Sequence, residues 1–155
     1  MTGQRRIKEL IANRVPLLLV DRIVSVEPGV RVVTRKAVSA VEPCYHPLDD
    51  HATDDDYAYP AALLVESWCQ SAALLVAQED GPAGIALAGT LRSVHFGPPV
   101  FPGDVLEHEV RLVRAVGAKA ICTGETVSGG ETVLRVGQFV VARVALEALT
   151  PGGVR

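Results

Sequence analysis

Cysteine is scarce and shows no pairing pattern: only Cys44, Cys69 and Cys122 occur in 155 residues, and no two form a C-x-x-C pair. An odd number at such wide spacing excludes a disulfide framework or a cysteine zinc site and fits reduced thiols in the cytoplasm. Basic runs are also missing. Fifteen lysines and arginines against eighteen acids leave a net charge of −3, and the few aromatics, 5% of residues, do not interleave with the basic ones. Nothing therefore points to nucleic acid. The N-terminal MTGQRRIKEL lacks the apolar run of a signal peptide, so nothing points to export. The length suits one domain, expected over residues 1–148, with a disordered tail, LTPGGVR, over 149–155.

Against these absences stands one long apolar stretch, residues 57–80. Pro60 suits the first turn of a helix, and Ala61 to Val65, Trp68 and Ala72 to Val76 leave almost no polar side, which predicts a helix buried all round. Its length approaches that of a membrane span. Glu66, Ser67, Gln70 and Ser71 at mid-span, an acidic C-terminal flank and no basic cluster argue instead for the axis of a soluble core. Glu66 and Gln70 lie four apart on one helix face, and a carboxylate there must be paired, hydrogen-bonded or put to use.

The rest of the chain is built around that axis. Residues 4–13 space Ile7, Leu10 and Ile11 as a short amphipathic helix. Residues 17–26 and 30–40 are β-branched runs joined by Glu27-Pro28-Gly29, a hairpin pattern, and residues 41–57 form a polar loop with His46, His51 and five aspartates. Gly81-Pro82 and Gly84 should end the helix. Residues 85–96 form a strand, the Pro/Gly-rich 97–104 a connection, and Leu106, His108, Val110 and Leu112 the inward side of a half-buried strand. Two further strands, 119–127 and 132–144, flank the tight turn Ser128-Gly129-Gly130. The fold class is α+β, about six antiparallel strands curled around one long helix.

Four segments in order carry a resemblance to a known family: RVPLLLVDRIVSVEPGVRVV from Arg14, ESWCQSAALL from Glu66, VHFGPPVFPGDVLEHEVRL from Val94 and KAICTGETVSGGETV from Lys119. Together they resemble the 3-hydroxyacyl-acyl carrier protein dehydratases of type II fatty acid or polyketide synthesis. The resemblance covers roughly residues 7–144, and PLLLVDR and FPGD are its specific signals. It implies the hotdog fold, a homo- or heterodimer whose active sites are shared between subunits, and a substrate carried on the phosphopantetheine arm of an acyl carrier protein. It calls for no metal or redox cofactor, and for neither nucleic acid nor a membrane span.

Dehydration of such a thioester needs a base for the C2 proton, an acid for the departing C3 hydroxyl and a stabiliser for the carbonyl oxygen. The resemblance places Glu66 on the family's helix carboxylate and Gln70 on the glutamine four residues on. The base falls to His51, fifteen positions before Glu66, in DDHATDDD where the family has G-H-F-P-G. Tyr59-Pro60-Ala61 stands where the family has M-P-G. Ala61 offers its N–H to the thioester while its methyl narrows the approach, and Tyr59 is placed to shorten or block the acyl tunnel. His46 is a lesser candidate base. Arg5, Arg6, Lys8 and Arg92 are available for an acidic carrier protein. Two alternatives remain: an impaired subunit completing an active dehydratase partner, or a thioesterase using Glu66 to activate water. His95, His108, Trp68 and Cys69 are assigned to packing or interfaces.

Overall fold

The computed structural model describes residues 2–77 and 84–145. Helix α1 spans Gln4–Leu10, strands β1 and β2 span Arg22–Glu27 and Arg31–Ala37, and helix α2 spans Ala61–Ala77. The remaining strands are β3 (Gly84–Phe96), β4 (Val105–Val116), β5 (Lys119–Ser128) and β6 (Glu131–Ala145). All six form one antiparallel sheet in the order β1-β2-β4-β5-β6-β3, with α2 packed against it. This is the hotdog fold.

The inward side of β4, Leu106, His108 and Val110, is fully buried and meets α2. Trp68 is also fully buried, edge-on to Phe139 of β6, with its indole N–H donated to the Glu109 carbonyl at 3.2 Å. A hydroxyl chain fixes the helix against β2. Ser71 donates to the Ser67 carbonyl at 2.9 Å, so the 2.6 Å contact with Thr34 has the threonine as donor. Leu64, Leu74, Leu75 and Val76 complete the buried side of α2, which accounts for the membrane-like composition of this stretch.

Three expectations change. The helix α2 is not buried all round: Ala62 is exposed and Val65, Glu66, Cys69, Ala73 and Ala77 are half-buried, a strip that the described residues cover only in part. Helix α1 ends at Leu10 rather than Asn13, because the Arg14 guanidinium takes the carbonyls of Lys8, Ile11 and Asn13 and holds that segment out of the helix. Residues 17–21 precede β1 rather than belonging to it, since Leu17 and Leu19 give backbone groups to the Gln70 side chain. The Gly129-Gly130 turn is as expected, both residues having positive φ. The helix stop at Gly81-Pro82 and the tail lie outside the described residues.

Two connections aim the helix. Phe101-Pro102-Gly103-Asp104 closes a turn in which Asp104 accepts the Phe101 N–H at 2.9 Å and Gly103 has a φ of 102°. Backbone bonds Gly103 to Val38 and Val38 to Asp104, both 2.9 Å, dock this turn on the end of β2. The Tyr59 N–H then donates to Val100 at 2.7 Å, setting the chain where α2 begins.

Candidate active site

Glu66 sits in the middle of the half-buried strip of α2. Its Oε1 accepts the Gln70 Nε2–H at 2.9 Å and the Asn13 Nδ2–H at 3.3 Å. All the side-chain hydrogen bonds of Glu66 to described residues fall on that one oxygen. Gln70 is committed: its second amide hydrogen goes to the Leu17 carbonyl at 2.7 Å and its Oε1 accepts the Leu19 N–H at 2.9 Å. The glutamine thus ties the PLLL segment to the helix and orients Glu66 at once. Beside them is a cavity of about 120 Å³, walled by Asn13, Cys69, Ala73, Phe139 and Val141. At roughly 30 Å³ each, that is space for only a few water-sized groups.

Cys69 does not add a nucleophile. Burial, reinforced by the Glu66 carboxylate, pushes its thiol up to about 12, so it stays protonated. At the start of α2, Leu63 and Leu64 both donate to the Pro60 carbonyl, which leaves the Ala61 and Ala62 N–H groups ahead of the first helical bonds. Tyr59 is buried with Lys36 Nζ 5.4 Å from its ring centre; burial and the nearby Glu42 carboxylate hold its phenol far above the ordinary tyrosine range.

His51 lies on an exposed turn, its backbone N–H held by Asp49 Oδ1 at 2.8 Å, and is not among the residues lining the Glu66 cavity. Its neighbour Asp56 accepts both the N–H and the hydroxyl of Thr53 at 2.7 Å, contacts that hold its carboxyl below the usual range. His46 and His95 are exposed too. His108 is fully buried with Nδ1 2.8 Å from Thr126 Oγ1, and burial plus the Lys36 cation lowers it to about 3. It is therefore neutral at physiological pH. Within one chain the structure joins Glu66 to Gln70, and it does not join either to His51.

Two features escaped the sequence reading. Asn13 is separated from Glu66 by 53 positions, and no local pattern announces that meeting. The buried pair of Lys36 and Glu42, 2.9 Å apart, locks the end of β2 to the turn at Pro43–Tyr45. It had a signal: the period of two that buries Val32 and Thr34 also turns Lys36 inward.

The model of one family, the FabA-like domain, matches residues 11–137. The chain belongs to the FabA-like domain family. Among FabA-like relatives, the 3-hydroxyacyl-[acyl-carrier-protein] dehydratase FabZ of Natranaerobius thermophilus is 37% identical over 145 residues, covering 93% of this chain and 99% of its own. The FabZ of an Anaeromyxobacter species is 36% identical over 132 residues, with 82% and 81% covered. Solved structures agree on the fold. The dehydratase heterocomplex ApeI:P from Xenorhabdus doucetiae superposes with a TM-score of 0.74 at 15% identity, covering 91% of this chain and 92% of that one. The Escherichia coli PaaI protein gives 0.60 at 19% identity, covering 80% and 79%.

Proposed function

We propose that this FabA-like chain removes water from a 3-hydroxyacyl thioester to give the trans-2-enoyl thioester, working as one half of a dimer. The observation that carries the reading is Glu66, a carboxyl on the half-buried strip of α2, bonded among the described residues through one oxygen only and bordering a small cavity. A second hotdog subunit laid against that strip would cover it and bring its own residues to the carboxyl.

In the proposed reaction the thioester carbonyl rests against the Ala61 N–H at the start of α2, where the helix dipole favours developing negative charge. His51 of one subunit takes the C2 proton. The electrons of that C–H bond form the C2–C3 double bond as the C3 hydroxyl departs with the proton from Glu66 of the other subunit. Glu66 is left as a carboxylate and His51 as an imidazolium, and transfer of that proton restores both. Tyr59 and Pro60 border the approach to Ala61, while Gln70 acts on Glu66. The carrier-borne phosphopantetheine arm is the expected handle of the substrate, and its acidic protein would meet Lys8 or Arg92 more readily than Arg5 and Arg6, which both pair with Glu9.

A second reading has its own observation. His51 is exposed, held by an aspartate and flanked by four more, away from Glu66 in its own chain. In a heterodimer, a partner dehydratase with an intact histidine would supply the base and this chain would supply Glu66. The test is mass-spectrometric: the purified protein, alone, is given a 3-hydroxyacyl carrier-protein thioester. Loss of water supports the self-sufficient dehydratase, release of free acid and thiol supports the thioesterase, and no turnover by a folded dimer favours the partner-dependent subunit.

A further inference from the structure

The two oxygens of Glu66 are not equivalent. Oε1 takes N–H donors from two elements, Gln70 one turn along α2 and Asn13 in the segment after α1, at 2.9 and 3.3 Å. A protonated carboxyl whose one oxygen accepts two N–H bonds carries its hydrogen on the other, because a carbonyl oxygen has two lone pairs for donors and a hydroxyl hydrogen there would meet the incoming N–H groups. A single donor would leave the carboxyl free to pivot, since the terminal torsion of glutamate is broad.

The placement of Asn13 is built rather than incidental. Arg14 Nη1 donates to the Ile11 carbonyl at 2.8 Å and to that of Asn13 at 2.7 Å, and its Nη2 donates to the Lys8 carbonyl at 3.0 Å. Helix α1 is itself anchored by Gln4, whose amide donates to the Val20 carbonyl at 2.7 Å and the Asp21 carbonyl at 3.1 Å. The asparagine is thus held on the wall of the cavity, amide toward the carboxyl.

We propose that Asn13 is a positioning residue that, together with Gln70, fixes Oε1 as the carbonyl oxygen of Glu66 and so makes Oε2 the oxygen that carries and delivers the proton. This rests on the reading of Glu66 as the proton donor. Asn13 touches no reacting atom in this scheme; its effect passes through the carboxyl it orients.

The test pairs Asn13→Ala with Asn13→Asp, which keeps the shape of asparagine and replaces the donor by an acceptor. On a 3-hydroxyacyl carrier-protein thioester, Asn13→Ala lowers kcat roughly 10- to 100-fold with little change in KM, the scale of a misplaced reacting group. Asn13→Asp falls at least as far. Without substrate, the infrared C=O stretch of protonated Glu66, isolated at acidic pH by difference against Glu66→Gln, moves to higher wavenumber in Asn13→Ala because a donor to that carbonyl has gone. An unmoved stretch, or wild-type kcat in Asn13→Asp, overturns the proposal. If the wild-type protein does not dehydrate, the functional reading fails, while the infrared shift still decides the role of Asn13; Asn13→Ser carries both measurements should the alanine variant not fold.

Discussion

Gln70 joins Glu66 through a 2.9 Å hydrogen bond one turn along the same helix while its carbonyl accepts the Leu19 N–H. One buried amide therefore couples the orientation of the carboxyl to the path of the chain before β1. Gln70→Ala should cost both. The buried Leu19 N–H loses its partner, at about 1–3 kcal/mol for a group left unpaired in the interior, and the Leu17 carbonyl, on an exposed residue, loses one that water replaces. A fall of several degrees in the thermal midpoint, measured by circular dichroism, accompanies a lower rate of dehydration; unchanged melting would contradict the coupling.

The Lys36–Glu42 pair is exposed by only 6% and 15%, so little solvent screening reduces it. Removing one member leaves a charge without its partner, and Lys36→Met should destabilise by about 3–5 kcal/mol. Lys36→Met with Glu42→Gln, which keeps an acceptor for the Ser39 N–H, should recover much of that loss. Urea midpoints of the two single variants and the double variant decide it, and additive losses would show that the pair has no coupling.

His108 makes stability depend on acid. Burial and the Lys36 cation lower it to about 3 in the folded chain, against about 6.5 when unfolded, so between those values the unfolded chain binds the additional proton. Stability from this group is complete above about pH 6.5 and falls by about 1.4 kcal/mol per pH unit below it, until the folded pKa is reached. Subtracting the urea-derived stability of His108→Gln from that of wild type between pH 7 and 5 isolates the slope, with roughly 2 kcal/mol expected over that interval. A flat difference curve would mean that the histidine is not held neutral.

Much of the fold was legible from local pattern. The alternation of Leu106, His108 and Val110 set the inward side of β4, paired glycines set the β5–β6 turn, and the apolar run around Trp68 set the axis. What escaped depended on contacts far apart in sequence. Residues 17–21 looked like strand until Gln70 claimed their backbone, and α1 looked longer until Arg14 claimed its carbonyls. At the site, Glu66 and Gln70 were readable from their spacing of four, while Asn13 was not, because its partner lies across the fold. The half-buried strip on α2 was hidden for another reason. Its small apolar residues have the same composition whether the chain itself or a second subunit covers them.

Mixing His51→Ala with Glu66→Ala, each purified, then unfolded and refolded together, tests the proposal of a shared dehydratase site most directly. Each variant alone should lose a hundredfold or more of the wild-type rate, the scale of a missing acid or base. In a random mixture half the dimers are mixed and each has one intact site of two, so about a quarter of the wild-type rate should return. An active wild type whose two variants stay inert after mixing, or a His51→Ala protein that keeps the full rate, would contradict a site built from His51 of one subunit and Glu66 of the other.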